Sequence, residues 1–398
     1  MSKRTIVAMP GDGIGKAVLD ETIRVLEAAG FDAEYVEGDI GWEFWCKEGN
    51  PLPERTLKLI AEHKIGLFGA ITSKPKDEAF EELAPELKEK GLVYSSPIVG
   101  LRQHFGLDIC LRPCRTYKGN PLNFIRRGPG DTIEEPMVDV AIFRQNTEGL
   151  YGGVEWSDPP EQVYEALMTH PKFSKNFGTV PKNEISVSTR IFTKKATERI
   201  LRAAFTHAKK YGYKSVTVCE KPNVIRETSG MMYKRALQMQ KDEFPEIQLW
   251  NTNIDAQMMW LTKNPEDYGV IVAGNMFGDI VSDGFAGLIG GLGFACSAQI
   301  NPDSGIGVFE PTHGSAPKYA DYETSIVNPI AMIESACMML DFIDENKIAA
   351  RIRKAIAEVV EEGKVRTYDM MKMRGRADVV ENGAASTKQM ADAIIAKL

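Results

Sequence analysis

The stretch VIVAGNMFGDIVSD, residues 270–283, joins an apolar run to Gly274 and then to a segment that contains Asp279 and Asp283. The apolar run predicts a buried β-strand, the glycine predicts a turn, and the segment after it predicts a helix. Layered α/β folds are built from units in this order, strand followed by turn and helix.

The same order recurs elsewhere in the chain. Residues 5–9 (TIVAM) predict a strand, residues 10–15 (PGDGIG) predict a glycine turn, and the apolar spacing that follows predicts a helix that ends before Gly30. Further along, residues 193–210 predict a helix and residues 215–219 predict a strand. Alternating strands and helices indicate a layered α/β fold with a largely parallel sheet.

The first glycine turn is close to a dinucleotide-binding fingerprint. That fingerprint requires G-x-G-x-x-G, and its last position is occupied here by Lys16. A tight turn between a strand and a helix is therefore the better interpretation, and the cofactor site is expected elsewhere in the chain.

The composition excludes some classes of function. The chain has 398 residues, 43% hydrophobic residues and a net charge of -7, which suits a soluble protein of about two domains. The acidic balance argues against nucleic-acid binding. A small anionic substrate can still bind, because local arginines can dominate the charge of a pocket.

Signals for secretion or membrane insertion are weak. The first residues lack the charged region, long apolar stretch and cleavage site of a signal peptide. The longest uncharged stretch, residues 284–302, is interrupted by glycines and predicts a buried helix followed by a glycine turn rather than a membrane span. Six cysteines without a close CxxC pair favour free thiols, and we expect a reducing, cytoplasmic location.

Residues 151–188 do not follow the alternating pattern. They contain several prolines and glycines and few periodic apolar runs. Because loops of this length usually have a function, an arm that contacts another subunit is the favoured interpretation.

Asp279 and Asp283 lie one helical turn apart, on one face of the predicted helix. Helix capping explains Asp279 easily but Asp283 less well, because the effect of the helix dipole fades within the first turn. Like charges on one face repel each other unless a cation lies between them. Hard oxygen ligands suit Mg²⁺ or Mn²⁺, so the pair predicts a divalent-metal site.

Three arginines lie beside apolar residues: Arg102 and Arg112 in LRQHFGLDICLR (residues 101–112), and Arg144 in VAIFRQNTEGLY (residues 140–151). A guanidinium group matches a carboxylate with two parallel hydrogen bonds. A single arginine usually forms a surface salt bridge, but three in such surroundings predict a pocket for a small substrate with two or three carboxylates.

Together these motifs resemble the β-decarboxylating dehydrogenases, which include the isocitrate, 3-isopropylmalate, homoisocitrate and tartrate/malate enzymes. The matching stretches occur in the family's order from about residue 10 to about residue 370. They are PGDGIG, LRQHFGLDICLRPCR, FRQNTEGLYGGVEW, KPN, GNMFGDIVSDGFAGLIGGLG, EPTHGSAPKYA and VNPIAMIESACMML.

The resemblance implies a three-layer α/β fold of the isocitrate/isopropylmalate dehydrogenase type, which is not a Rossmann fold. It implies a large domain from residues 1–107 and 290–398, a small domain from residues 108–148 and 195–289, and a clasp from residues 149–194. In such proteins the clasp builds a homodimer whose active sites are shared between the subunits.

The resemblance also implies catalytic roles. Tyr151 resembles the acid that protonates the enol after carbon dioxide leaves, and Lys221 resembles the partner-subunit lysine that helps to deprotonate the 2-hydroxyl group. Asp255 resembles the metal ligand that a partner subunit adds to Asp279 and Asp283. A bound divalent ion would stabilise the charge that develops as the hydroxyl proton departs.

The cofactor loop resembles that of NADP-linked members. Lys318 and Tyr319 stand where NAD-linked relatives usually have aspartate and an apolar residue, and Tyr368 and Lys372 resemble the TYDxxR motif with lysine replacing arginine. Cations and tyrosines suit a 2′-phosphate, whereas a carboxylate would suit a free ribose hydroxyl. The residues expected at the cofactor are Asn223, His313, Gly314, Ser315, Ala316, Lys318, Tyr319, Asn328, Tyr368 and Lys372.

The substrate signals are mixed. Ser96, six residues before Arg102, fits the isocitrate enzymes, whereas Ile98 and Val99 fit the apolar pair of isopropylmalate enzymes. Homoisocitrate enzymes often have an extra arginine at the position of Val99, so homoisocitrate is disfavoured as the substrate. The NADP-like loop and Ser96 favour oxidative decarboxylation of isocitrate to 2-oxoglutarate with NADP and Mg²⁺ or Mn²⁺. A 3-isopropylmalate or malate/tartrate-type enzyme that uses NAD stays open.

An alternative of another class is a regulatory subunit without catalytic activity. Such chains usually lose the tyrosine, the lysine or a metal aspartate. The residues at these positions are all present here: Tyr151, Lys221, Asp255, Asp279 and Asp283. A catalytic chain is therefore favoured.

Overall fold

The computed structural model describes residues 3–398. The strands are β1 (Arg4–Gly11), β2 (Ala33–Glu37), β3 (Ile65–Ala70), β4 (Ile109–Arg115), β5 (Arg126–Arg127), β6 (Ile133–Glu134), β7 (Asp139–Gln145), β8 (Glu155–Ser157), β9 (Ser186–Ser188), β10 (Ser215–Glu220), β11 (Gln248–Asn253), β12 (Val270–Ala273), β13 (Cys296–Asn301) and β14 (Ile306–Pro311).

The α-helices alternate with these strands over much of the chain. They are α1 (Gly15–Ala28), α2 (Trp42–Glu48), α3 (Glu54–His63), α4 (Lys76–Glu81), α5 (Pro85–Lys88), α6 (Pro97–Phe105), α7 (Glu161–Met168), α8 (Pro171–Phe177), α9 (Lys194–Tyr211), α10 (Thr228–Glu243), α11 (Ile254–Trp260), α12 (Asn275–Leu288), α13 (Ile330–Phe342), α14 (Asn346–Glu362) and α15 (Thr387–Ile395). The predicted elements at residues 5–9, 193–210, 215–219 and 270–273 are confirmed as β1, α9, β10 and β12.

A ten-stranded sheet forms the centre of the molecule. Its strands are ordered β11-β10-β12-β7-β4-β13-β14-β3-β1-β2. Strand β13 is antiparallel to both of its neighbours, and β4 is also antiparallel to β7. The remaining pairs are parallel, which confirms the largely parallel sheet that the sequence predicts.

Helices pack on both faces of this sheet. Along β7, Val140 and Ile142 belong to the apolar cluster that includes α12, whereas Ala141 and Phe143 belong to the cluster that includes α9. Successive strand residues point to opposite faces, so α9 and α12 lie on opposite sides of the sheet. The same alternation along β1 separates α1 from α3. The predicted three-layer α/β fold is therefore confirmed.

The two halves of the sheet come from different parts of the sequence. Strands β1, β2, β3, β13 and β14 form one half, and β4, β7, β10, β11 and β12 form the other. The halves meet where β4 pairs with β13. The division of the chain into a large domain, a small domain and a clasp stays a prediction.

The uncharged stretch from residue 284 forms the end of α12, a glycine-rich turn and strand β13, as the sequence predicts. Across residues 3–398, every helix is too short or too polar to span a lipid bilayer. All six cysteines are free thiols.

Candidate active site

The middle of one sheet face, between α6 and α12, bears polar side chains from four neighbouring strands. They are Arg144 of β7, Arg112 of β4, Gln299 of β13 and Glu310 of β14, and all four are buried. Arg144 and Gln299 are each in register with Cys110 of β4, and directly paired residues point to the same face. This part of the sheet is therefore a polar floor within an otherwise apolar core.

Two of these arginines contact the aspartates of α12. Nη1 of Arg112 donates to Oδ1 of Asp279 at 2.9 Å, to the Ser282 hydroxyl at 2.8 Å and to Oδ1 of Asp283 at 3.3 Å. Arg144 also donates to Oδ1 of Asp279. Burial, together with the charge of Arg112, lowers the pKa of Arg144 to about 10, so the group stays protonated at neutral pH. Asp279 is thus the shared acceptor of two buried cations.

The third arginine reaches the floor from α6. Nη2 of Arg102 lies 3.3 Å from Oε1 of Glu310, which also accepts a hydrogen bond of 2.7 Å from Nε2 of Gln299. The Nε groups of Arg102 and Arg112 are buried and have no hydrogen-bond partner among the described residues. Unpartnered buried donors are costly, so both guanidinium groups are suited to receive an anionic ligand.

The residues before Arg102 take different environments. Ser96 is the N-cap residue of α6. Ile98 is only 8% exposed and packs in an apolar cluster with β1 and α3, whereas Val99 is 39% exposed. Core packing therefore accounts for the apolar side chain at Ile98, and Val99 is the apolar residue of this pair that can meet a ligand.

Asp279 and Asp283 lie on one face of α12, as their spacing predicts. Burial, opposed by Arg112, raises the pKa of Asp283, and the charge of Asp279 adds to that effect. Two carboxylates one turn apart fit a hard divalent cation, but within residues 3–398 no group of three or more possible metal ligands comes together. Among the described residues α12 therefore offers two carboxylates, and further ligands of such a site would have to come from elsewhere.

Tyr151 lies at the edge of this group and is 45% exposed. Its ring centroid is 5.6 Å from the guanidinium carbon of Arg144. Burial and the neighbouring Asp279 raise the pKa of the phenol above its usual value. The hydroxyl is therefore protonated at neutral pH and is placed to donate a proton.

Lys221 and Asp255 form a separate pair. The Lys221 ammonium, directly after β10, donates to Asp255 in the first turn of α11. Among the described residues no hydrogen bond or ion pair joins either of them to Tyr151 or to the aspartates of α12. Asn223, two residues after Lys221, is exposed. A single chain thus leaves the predicted site residues in two groups.

The predicted cofactor loop, residues 313–316, lies against the first glycine turn. The backbone N–H of Ile14 donates to the Ser315 carbonyl at 3.0 Å, and the Ser315 hydroxyl lies 2.6 Å from that of Thr72. Gly13 has a φ of +55°, and a Cβ there would collide with the Ser315 carbonyl. The glycine turn therefore supports the loop, a role that the sequence did not reveal.

His313 is the first residue of the predicted cofactor loop. Its Nδ1 lies 3.0 Å from the Gly314 carbonyl oxygen, and its Nε2 is buried without a partner among the described residues. Burial lowers the pKa of the imidazole, so the ring is neutral at neutral pH. Ala316 has a φ of +39°, which is unusual for alanine.

The proposed 2′-phosphate residues differ in exposure. Tyr319 is only 9% exposed, and its ring centroid lies 5.7 Å from that of Tyr368. The Lys318 ammonium lies 4.6 Å from the centroid of the Tyr319 ring. Asn328 is buried and donates to Asp369. Lys318 and Lys372 are exposed cations of this region, whereas Tyr319 is mainly a packing residue.

Four residues of the site were not predicted from the sequence. Glu310, Gln299 and Ser282 contact the arginines as described above, and Oδ1 of Asn275 accepts a hydrogen bond of 2.9 Å from Arg144. Glu310 could have been suspected, because it is the first residue of the EPTHGSAPKYA stretch that contains the cofactor loop. Gln299 lies in an ordinary strand sequence, which gives no signal of its own.

The chain is similar in sequence to several known proteins. The sequence profile of the isocitrate/isopropylmalate dehydrogenases matches residues 5–394. Protein DlpA of Legionella pneumophila is 39% identical over 98% of this chain, which spans 58% of the length of that protein. The 3-isopropylmalate/3-methylmalate dehydrogenase of Methanocaldococcus jannaschii is 36% identical over 89% of this chain and 90% of its own.

A solved structure is similar along the whole chain. The isocitrate dehydrogenase of Methylococcus capsulatus aligns with a TM-score of 0.80 and 33% sequence identity, and the alignment covers 99% of both chains. Similar identities to proteins named after isopropylmalate, homoisocitrate and isocitrate mean that overall likeness does not select one substrate.

Proposed function

The chain belongs to the isocitrate/isopropylmalate dehydrogenase family, and from this premise we propose that it oxidises and decarboxylates isocitrate to 2-oxoglutarate and carbon dioxide, with NADP and Mg²⁺ or Mn²⁺. The observation that supports this most is the polar floor together with Arg102 of α6, which brings three arginines to one place. The Nε groups of Arg102 and Arg112 are buried without a partner among the described residues, which suits a pocket that binds a polycarboxylate.

The choice of isocitrate rests on the residues at the start of α6. Arg102, Arg112 and Arg144 supply cations on three different elements, which suits any substrate with two or three carboxylates, isocitrate included. Ile98 is a core residue, so packing explains its apolar side chain. Of the apolar pair, only Val99 then remains as an indication of an isopropylmalate pocket. Ser96, at the start of α6, retains a hydroxyl for the third carboxylate.

The divalent ion would be held by Asp279 and Asp283, with Asp255 supplied by a second copy of the chain. When bound, it stabilises the negative charge on the 2-hydroxyl oxygen and polarises the keto group that follows. The arginines would hold the substrate carboxylates and so fix the orientation of C2, and NADP, when bound, would supply the hydride acceptor.

Tyr151 and Lys221 would handle the protons. Lys221 from a second subunit helps to remove the proton of the 2-hydroxyl group as hydride leaves C2. Loss of carbon dioxide then leaves an electron pair on the carbon that carried the lost carboxylate, next to C2. Tyr151 is protonated and lies beside Arg144 and Asp279, so its phenol can supply the proton that this carbon needs.

A homodimer would complete the site. Helices α7 and α8 of the proposed clasp have no buried residues. Their exposed surface includes a large apolar side chain, Phe177, which is nearly half exposed. On α11 and α12, Met259, Trp260 and Ile280 are also exposed. Apolar surfaces of this kind favour contact with another protein surface, and a second copy would bring the Lys221–Asp255 pair to the arginine site.

Steady-state turnover tests the proposal directly. The purified chain is assayed with Mg²⁺ against isocitrate and 3-isopropylmalate, each with NADP and with NAD. Strong NADP reduction with isocitrate is expected. Turnover with 3-isopropylmalate alone would show that the exposed Val99 sets the pocket, which is the observation that favours this second candidate.

The cofactor assignment predicts the effect of Lys318→Asp. Reversing this exposed charge should raise the KM for NADP by about 10- to 100-fold, which corresponds to about 1.4–2.8 kcal/mol, because a carboxylate would repel the 2′-phosphate. The KM for NAD should change little. Lys347→Asp, an exposed lysine in α14, is the matched control. Equal effects on NADP and NAD would show that Lys318 does not recognise the phosphate.

A further inference from the structure

Glu220, the last residue of β10, is a fully buried carboxylate that is not part of the arginine site. Its Oε1 accepts the backbone N–H of Gly274 at 2.7 Å. Its Oε2 accepts the Arg190 guanidinium at 2.8 Å and the Ser229 hydroxyl at 2.5 Å. The carboxylate is therefore fully paired and is surrounded by three separate segments of the chain.

Glu220 joins two elements that carry site residues. Gly274 is the N-cap residue of α12, the helix that presents Asp279 and Asp283. Glu220 itself directly precedes Lys221 in the sequence. The carboxylate thus fixes the end of β10 against the start of α12, and with them the lysine and the two aspartates.

The arginine that pairs with Glu220 lies near the end of the proposed clasp, residues 149–194. Arg190 follows β9 and also donates to the hydroxyls of Thr228 and Ser229, at 2.7 and 2.9 Å. Its guanidinium carbon lies 4.5 Å from the centroid of the Phe192 ring and 5.0 Å from that of Phe277. Two aromatic rings therefore lie against the guanidinium group, and its position depends on the clasp as well as on α12.

Stability alone is a weak explanation for such a pair. Removing two charges from water is costly, and replacing a buried ion pair by apolar groups of similar size is often neutral or stabilising. A buried ion pair does fix the relative positions of chain segments, because its hydrogen bonds form only when the segments that carry the two groups take one arrangement.

We propose that Glu220 and Arg190 are positioning residues that hold Lys221 and the aspartates of α12 in register with each other and with the clasp. The inference rests on the proposed function, because it assumes that these groups act in catalysis, the aspartates in one active site and Lys221 in that of a second copy. It assigns a task to two residues that contact neither substrate nor cofactor.

A double-mutant cycle tests this role. The variants are Glu220→Gln, Arg190→Met and the two combined, in the full-length chain. Each single variant leaves one buried charge unpaired and should lower both the melting temperature and kcat. The double variant should recover most of the melting temperature but keep a kcat that is about tenfold or more below the wild type, with a similar KM for isocitrate.

A second readout does not depend on turnover. Binding of Mn²⁺, followed by its electron paramagnetic resonance signal, should weaken by about tenfold in the double variant. Glu334 and Arg353 form the matched control pair, 3.2 Å apart and outside the site. The variants Glu334→Gln and Arg353→Met and their combination should change the melting temperature but leave kcat and Mn²⁺ binding unchanged.

Recovery of melting temperature, kcat and Mn²⁺ affinity together in the double variant would overturn the proposal and leave a purely structural pair. Absence of turnover in the wild type with every substrate would refute the proposed function, and Mn²⁺ affinity would still decide the role of the pair. If the double variant does not fold, Glu220→Gln alone, which keeps the shape of the side chain, is compared by the same two readouts.

Discussion

Asp279→Asn should lower kcat by about 10³-fold or more while the chain remains folded. Asparagine keeps the shape of the side chain but removes the charge that faces Arg112 and Arg144. It also removes one of the two hard anionic ligands that α12 offers to a divalent ion. Both losses act where charge develops during hydride transfer, and removal of such stabilisation typically has a large effect on kcat.

The measurement is kcat at saturating Mg²⁺, together with circular dichroism to confirm folding. Asp139→Asn is the matched control, because Asp139 also accepts from an arginine, Arg115 at 3.2 Å, but lies outside the site. Full activity of Asp279→Asn would remove this residue from the metal site. If that variant unfolds, Asp283→Asn repeats the test at a side chain that is 60% exposed.

The elements that the sequence predicted are those determined by local periodicity. Strands β1, β10 and β12 and helix α9 follow from apolar spacing alone. The structure adds that the Thr193 side chain caps α9 by accepting the backbone N–H of Ala196. The positions of Asp279 and Asp283 on one helical face also follow from local geometry. Information of this kind lies within a few residues and does not require the sheet order.

The parts that could not be predicted depend on contacts between distant segments. Gln299 and Glu310 reach the arginines only because β13 and β14 lie beside β4 in the sheet. The contact of Gly13 with Ser315 also joins segments that are far apart in the sequence. A sequence pattern gives the type of each strand but not its neighbour, so the full site could not be derived.

Ile98 shows a different limit. An apolar residue four positions before Arg102 suits an alkyl pocket and a hydrophobic core equally well. Only its burial against β1 and α3 distinguishes the two. The separation of Lys221 and Asp255 from the arginine site could likewise be suggested by resemblance but not by the spacing of these residues.

Tyr151→Phe should lower kcat by about 10²- to 10⁴-fold, the usual contribution of a positioned acid or base, with little change in the KM for substrate. The substitution removes only the hydroxyl. It keeps the ring beside the Arg144 guanidinium, so the arginines still hold the carboxylates. The effect should therefore fall on the step that uses the proton.

Steady-state kinetics of Tyr151→Phe measures both parameters, and Tyr164→Phe in α7 of the proposed clasp controls for the loss of an unrelated phenol. An unchanged kcat would show that another group, or water, protonates the carbon after decarboxylation. A rise in KM with an unchanged kcat would instead assign the hydroxyl to substrate binding. A selective loss of kcat would support the role of the hydroxyl as an acid, because among the described residues neither Arg112 nor Arg144 donates to the phenol and its removal leaves their contacts intact.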